Sequence, residues 1–154
     1  ADLTFILDQI QLRGSNTESI WGNLDTKSVG VFGHSFGGTT ALMLSVKDDR
    51  VTKAFALDGW MVPVPADVIS AGTEKPFFFL GQAAWDDPTN YKKLDQFLEV
   101  SPMGKKQLVP GTKHFDYSDA PQFSEMSKIF GLSGEVSRQK IRTLINKAVI
   151  DFFQ

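Results

Sequence analysis

The sequence predicts an α/β fold, a parallel β-sheet with helices on both faces. Three observations carry this. Short β-prone runs alternate with segments of helical periodicity, and such alternation folds into a parallel sheet covered by helices. Pro76-Phe-Phe-Phe-Leu-Gly81 is apolar at every interior position, as strands buried on both faces are. Lys27 to Phe32 runs without a break into the glycine-flanked serine of Gly33-His-Ser-Phe-Gly-Gly38, with a helical pattern behind it.

The elements follow in order. Leu3, Ile6, Leu7 and Ile10 recur at helical spacing and predict a helix over Ala1 to Leu12. Arg13 to Thr17 is polar, contains a glycine and reads as a loop. Lys27 to Phe32 is the first strand. From Thr39 the pattern Ala41, Leu42, Leu44, Ser45 predicts a buried helix ending near Asp48-Asp49. Val51 to Leu57 is the second strand, and Pro63 and Pro65 mark a loop. Pro76 to Gly81 is the third strand, Tyr91 to Val100 a helix, and Lys105 to Val109 the fourth strand, closed by Pro110-Gly111. A polar loop with His114 and a short apolar patch lead to a last helix, about Gly134 to Phe153. Its Ile141, Leu144, Ile145, Ala148, Val149 and Phe152 share one face.

The 154 residues suit one domain. A net charge of −2 gives no electrostatic footprint for nucleic acid. No apolar run approaches the roughly 20 residues of a membrane-spanning helix. Cysteine is absent, which removes disulfides, thiolate catalysis and cysteine-type zinc sites. It leaves the compartment open, with a secreted or extracytoplasmic location as the expectation.

Gly33-His34-Ser35-Phe36-Gly37 fits the nucleophile elbow Gly-x-Ser-x-Gly. A bare match arises by chance in on the order of a few per cent of chains of this length. Here the motif follows a strand and opens a helix, the context its chemistry needs, so the expected fold is that of the α/β-hydrolases. The tight turn projects Ser35 Oγ above the sheet. Gly33 and Gly37 are expected to lack β-carbons because strand and helix pack too closely there. The N–H of Phe36, at the helix start, is expected to be half of an oxyanion hole.

A serine hydroxyl needs a base, and the chain has two histidines. His34 sits on the elbow with its side chain expected to point away from Oγ, in a packing role. His114 follows the fourth strand, where this fold delivers its base; the competing reading is a surface-loop histidine. An acid should orient the imidazole. Asp58 ends the second strand, and Asp86 or Asp87 follows the third. Both places lie at the C-terminal edge of the sheet, where ligands gather, and fold physics leaves the choice open. Asp86-Asp87 before Pro88 also fits a helix cap.

Gly33-His-Ser-Phe-Gly-Gly38, Ala56-Leu-Asp-Gly-Trp-Met61, Lys75-Pro-Phe-Phe-Phe79 and Gly111-Thr-Lys-His-Phe-Asp-Tyr-Ser-Asp119 together resemble the plasma-type platelet-activating-factor acetylhydrolases. These are calcium-independent phospholipase A2 enzymes with lipase-like relatives. The resemblance runs from about Lys27 to Asp119 and weakens through the last helix. It implies Ser35 as nucleophile, Asp58 as acid, His114 as base and Phe36 N–H as one oxyanion donor. It implies lipid esters with short or oxidised sn-2 acyl groups as substrates, and no metal or organic cofactor. The same chemistry would serve a carboxylesterase, a triacylglycerol lipase or a polyester hydrolase. A non-catalytic binding module of the same fold is the rival of another class.

The resemblance further implies that the chain is the C-terminal portion of one hydrolase domain. The first strands and the second oxyanion donor would lie upstream, in a segment removed or carried by another chain. A sheet ending at the elbow strand should expose an apolar edge, and activity should be poor with one oxyanion donor missing. Phe123, Met126, Ile129, Phe130 and Leu132, within Gln122 to Leu132, are candidates for contact with a lipid surface; core packing is the competing reading.

Overall fold

A computed structural model describes residues 2–14, 20–123 and 126–154. Four strands, β1 (Val29–His34), β2 (Val51–Leu57), β3 (Phe77–Gln82) and β4 (Gly104–Val109), form one sheet in the order β1-β2-β3-β4, every pair parallel. The helices are α1 (Asp2–Gly14), α2 (Phe36–Lys47), α3 (Ala66–Ala71), α4 (Thr89–Glu99), the short turns α5 (Ala120–Phe123) and α6 (Met126–Ile129), and α7 (Arg138–Phe153). Single 3-10 turns cover Ile20–Asn23 and His114–Tyr117.

The two-residue period of the strands builds two cores, one on each face. Ala54 and Ala56 of β2 and Phe77 and Phe79 of β3 pack with Leu42 of α2, Val68 of α3, and Leu94 and Phe97 of α4. The alternate residues Phe55, Leu57 and Leu80 pack on the opposite face. There they meet Ile141, Leu144, Ile145, Ala148, Val149 and Phe152, the stripe expected on the last helix. Each fully buried phenylalanine contributes about 1.5–3 kcal/mol through lost apolar exposure. The helices thus lie on both faces of a parallel sheet, as expected.

Several boundaries move for local reasons. α1 runs through Arg13 and Gly14, two residues expected in the loop; the Arg13 guanidinium sits 5.7 Å from the centre of the Trp21 ring. Ala1 of the expected helix and Ser15 to Thr17 of the expected loop lie outside the described residues. α2 starts at Phe36 rather than Thr39, because the turn at Ser35 hands the chain straight to the helix. α3 occupies part of what reads as loop: Pro65 is its cap, and proline suits a helix start. The last helix begins at Arg138, where Ser137 Oγ accepts the Lys140 N–H.

The two edges of the sheet differ. β4 carries Lys105 and Lys106 outward, the usual protection of an exposed edge. β1 has no charged residue and no partner on its outer side among the described residues. Its Phe32 is 61% exposed.

Candidate active site

The site stands at the C-terminal end of the sheet. β1 delivers Ser35, which has φ 57° and ψ −121°. A non-glycine residue holds such a conformation at a cost of about 1–3 kcal/mol. Three backbone bonds hold it: Ser35 N–H donates to Leu57 O (3.0 Å), while Ser35 O accepts from Thr39 N–H (3.2 Å) and Trp60 N–H (3.1 Å). A β-carbon on Gly33 would lie 2.5 Å from the carbonyl carbon of Gly37, and one on Gly38 would lie 2.9 Å from Gly33 O. At Gly37 a β-carbon would meet nothing within 4 Å among the described residues. The close approach therefore rests on Gly33 and Gly38, and the expectation for Gly37 is corrected. Phe36 opens α2, so its N–H is one of the helix donors left without an intrahelical acceptor.

β2 delivers Asp58, fully buried with φ 43°, its N–H donating to Leu80 O at 2.7 Å. The 3-10 turn after β4 delivers His114. The structure brings these three side chains together. Ser35 Oγ lies 2.9 Å from His114 Nε2, and His114 Nδ1 lies 2.7 Å from Asp58 Oδ2. A carboxylate only accepts, so Nδ1 carries the proton and the Nε2 lone pair faces the serine hydroxyl.

Asp86 and Asp87 are not behind the ring. Both are exposed, and Asp87 Oδ1 accepts the Thr89 N–H at 2.8 Å in the turn that leads into α4, whose cap residue is Pro88. The Thr89 side chain, and after it this N–H, hold the Asp87 carboxyl below its ordinary value. His34 does more than pack. Its Nε2–H donates to His114 O at 3.0 Å, and its ring lies 4.5 Å from the His114 ring. Burial lowers the pKa of His34. The nearby His114 ring acts in the same direction, against the His114 carbonyl bond and Asp58.

The loops that carry the site are tied by buried polar groups. Asp116 Oδ2 accepts from the N–H groups of Lys113 and Gly134, both at 2.8 Å, fixing the turn that bears His114. The Tyr117 hydroxyl bonds Thr112 Oγ1 at 2.8 Å, and Thr112 donates to Val109 O. Asn90, wholly buried on α4, accepts from Met61 N–H (2.6 Å) and donates to Gly59 O (3.2 Å), tying down the segment after Asp58. Thr39 Oγ1 donates to Trp60 O.

Sequence reasoning did not find Gln82 and Trp85, both of which donate to Asp58. The available signal was a polar residue ending an otherwise apolar central strand. Around the serine stand exposed aromatic rings: Phe36 lies 6.5 Å from Trp60, and Phe115 flanks the His114 ring at 5.7 Å. Such an arrangement can activate a hydroxyl as a nucleophile beside an apolar wall.

Residues 8–154 match the family model described as platelet-activating factor acetylhydrolase, isoform II. The platelet-activating factor acetylhydrolase of Cavia porcellus is 30% identical to the chain, over 99% of the chain and 33% of that protein. A probable 1-alkyl-2-acetylglycerophosphocholine esterase of Arthroderma benhamiae is 28% identical over 82% of the chain and 37% of its own length. The chain thus spans about a third of the length of the curated relatives it matches. Among solved structures, a ferulic acid esterase from Streptomyces cinnamoneus superposes with a TM-score of 0.76 at 26% identity. That match covers 99% of the chain and 45% of the esterase, and it gives the sheet and its helices the α/β-hydrolase fold.

Proposed function

Because the chain belongs to the platelet-activating factor acetylhydrolase, isoform II, family, we propose that it carries the catalytic centre of a serine hydrolase of lipid esters. One observation carries the proposal: the unbroken hydrogen-bond chain from Ser35 Oγ through His114 to Asp58. His114 Nε2 takes the Ser35 proton as Oγ attacks the ester carbonyl. Asp58 holds the imidazole in the required tautomer and stabilises the imidazolium. The Phe36 N–H receives the developing oxyanion. The protonated His114 then gives its proton to the leaving alcohol. Water, with His114 again as base, releases the acid from Ser35.

The sheet is completed on the β1 side by strands outside this chain, either upstream in the same polypeptide or in a second chain. The uncharged edge of β1 and the exposed Phe32 support this, as does the greater length of the relatives. The second oxyanion donor comes with those strands, and one such donor is worth about 100- to 1,000-fold in rate.

The substrates are phospholipids with short or oxidised sn-2 acyl groups. The names of the curated relatives support this, as do the apolar side chains near the site. Phe123, Ile129 and Phe130 are 85, 79 and 67% exposed, which suits peripheral contact with a lipid surface; Ser124 and Glu125, between them, lie outside the described residues. The ferulic acid esterase likeness favours a second reading, a carboxylesterase of wider scope.

Initial rates on a 1-alkyl-2-acetyl phosphocholine, a feruloyl ester and a long-chain triacylglycerol, measured with the completed sheet, separate the readings. Acetate release from the phospholipid that outpaces the other two and vanishes in Ser35→Ala is expected. Preference for the feruloyl ester supports the second reading, and no hydrolysis of any ester contradicts both.

A further inference from the structure

Asp58 is bonded more heavily than orienting an imidazole requires. Oδ2 accepts from His114 Nδ1 at 2.7 Å and from Gln82 Nε2 at 3.0 Å. Oδ1 accepts from the Gln82 main-chain N–H at 2.9 Å and from Trp85 Nε1 at 3.1 Å. An ionised carboxylate offers about four acceptor sites, so the four donors account for all of them. Three of the four come from one short segment at the end of β3, the region in which Asp86 and Asp87 compete with Asp58 for the role of acid.

We infer that Gln82 and Trp85 are positioning residues, which act on His114 through Asp58. A carboxylate can rotate about its Cβ–Cγ bond and swing its lone pairs away from the ring. The two N–H donors on Oδ1 fix the plane of the group, so that Oδ2 faces Nδ1. The Gln82 side chain shares Oδ2 and draws off part of its charge. Trp85 also stands edge-on to the His114 ring, with centroids 5.0 Å apart and planes at 67°. One indole therefore both holds the acid and walls the base.

The surroundings are built for this contact. A β-carbon on Gly81 would lie 2.4 Å from Asp58 Oδ1, so a side chain there would deny the carboxylate its place. Gln82 is buried, and its carbonyl accepts from the Tyr91 hydroxyl, which fixes the segment from the other side.

This inference rests on the serine-hydrolase reading of the site. Its test is the second-order rate at which diisopropyl fluorophosphate labels the full chain. The variants are Trp85→Phe, which keeps an aromatic ring and loses the N–H, and Gln82→Met, which keeps the main-chain donor only. Each is also made in an Asp58→Asn background. Each single variant should slow labelling roughly tenfold, the size of one lost hydrogen bond to a charged group. Melting temperatures should stay within a few degrees of wild type. In the Asp58→Asn background neither change should slow labelling further by more than about twofold, because groups that act through one partner do not add. Single variants that label at the wild-type rate overturn the inference, and so does a full tenfold loss repeated in the double variants. A wild type that never labels overturns the hydrolase reading and this one with it. A wild type that labels beside indifferent variants overturns this one alone.

Discussion

Replacing Gly33 by alanine places a methyl group 2.5 Å from the carbonyl carbon of Gly37 and 2.6 Å from its oxygen. Ordinary contact would need about 1 Å more. Both partners are backbone, so no rotamer change relieves the clash; strand β1 and helix α2 must move apart. Overpacking of this kind costs about 1–3 kcal/mol, sometimes more, and the upper end applies because the obstacle is rigid. At about 2–4 °C per kcal/mol for a chain of this size, Gly33→Ala should melt roughly 6–12 °C below wild type.

The same displacement should lengthen the 2.9 Å separation of Ser35 Oγ from His114 Nε2. A misplacement of about 1 Å costs on the order of 100-fold in rate. Gly38→Ala should behave similarly, with its β-carbon 2.9 Å from Gly33 O and 3.1 Å from Gly59 Cα. Gly37→Ala should stay within about 0.5 kcal/mol of wild type, since its β-carbon enters open space. Thermal melts followed by circular dichroism, paired with hydrolysis of a chromogenic acetyl ester, read both effects. A Gly33→Ala protein as stable and fast as wild type would refute the reasoning, and so would a Gly37→Ala protein that suffers equally.

His34 gives a pH prediction. Its folded pKa lies below the ordinary histidine value of 6.5, so below that value the unfolded chain binds a proton that the folded chain resists. Stability should therefore rise with pH through the window just below 6.5 and fall on acidification, with urea melts at several pH values showing a shallower slope in His34→Gln. Asn90→Ala strands the Met61 N–H and the Gly59 carbonyl; it should cost about 2 kcal/mol in urea melts and lower turnover by loosening the segment after Asp58. Asp116→Ala leaves the N–H groups of Lys113 and Gly134 without their acceptor. It should cost about 3 kcal/mol and raise hydrogen exchange in the His114 turn, an effect absent if that turn is held from elsewhere.

The central strands β2 and β3 were legible because they bury apolar residues on alternating sides, and Phe77 to Leu80 admits hardly another reading. The last helix was legible from the stripe Ile141 to Phe152. The serine was legible because a strand, a glycine-bracketed turn and a helix follow one another without a gap. With only two histidines, the meeting of His114 with Ser35 was the more economical of two options. Which carboxylate faces His114 was not legible from periodicity. It depends on the φ of 43° at Asp58 and on the space that Gly81 leaves for the carboxylate, and neither has a sequence period. The donors Gln82 and Trp85 and the His34 bond to His114 O escaped for the same reason, since they join residues across separate loops. Gly37 was misjudged because the motif marks a glycine without saying which neighbour it avoids.

The central claim is that one hydroxyl of this chain is a nucleophile made reactive by the imidazole beside it. Treating the protein with a fluorophosphonate and mapping the adduct by peptide mass spectrometry tests it directly. The predicted result is a single modified peptide with the label on Ser35, lost in Ser35→Ala and strongly slowed in His114→Ala. A label that survives Ser35→Ala, or a rate indifferent to His114, contradicts it.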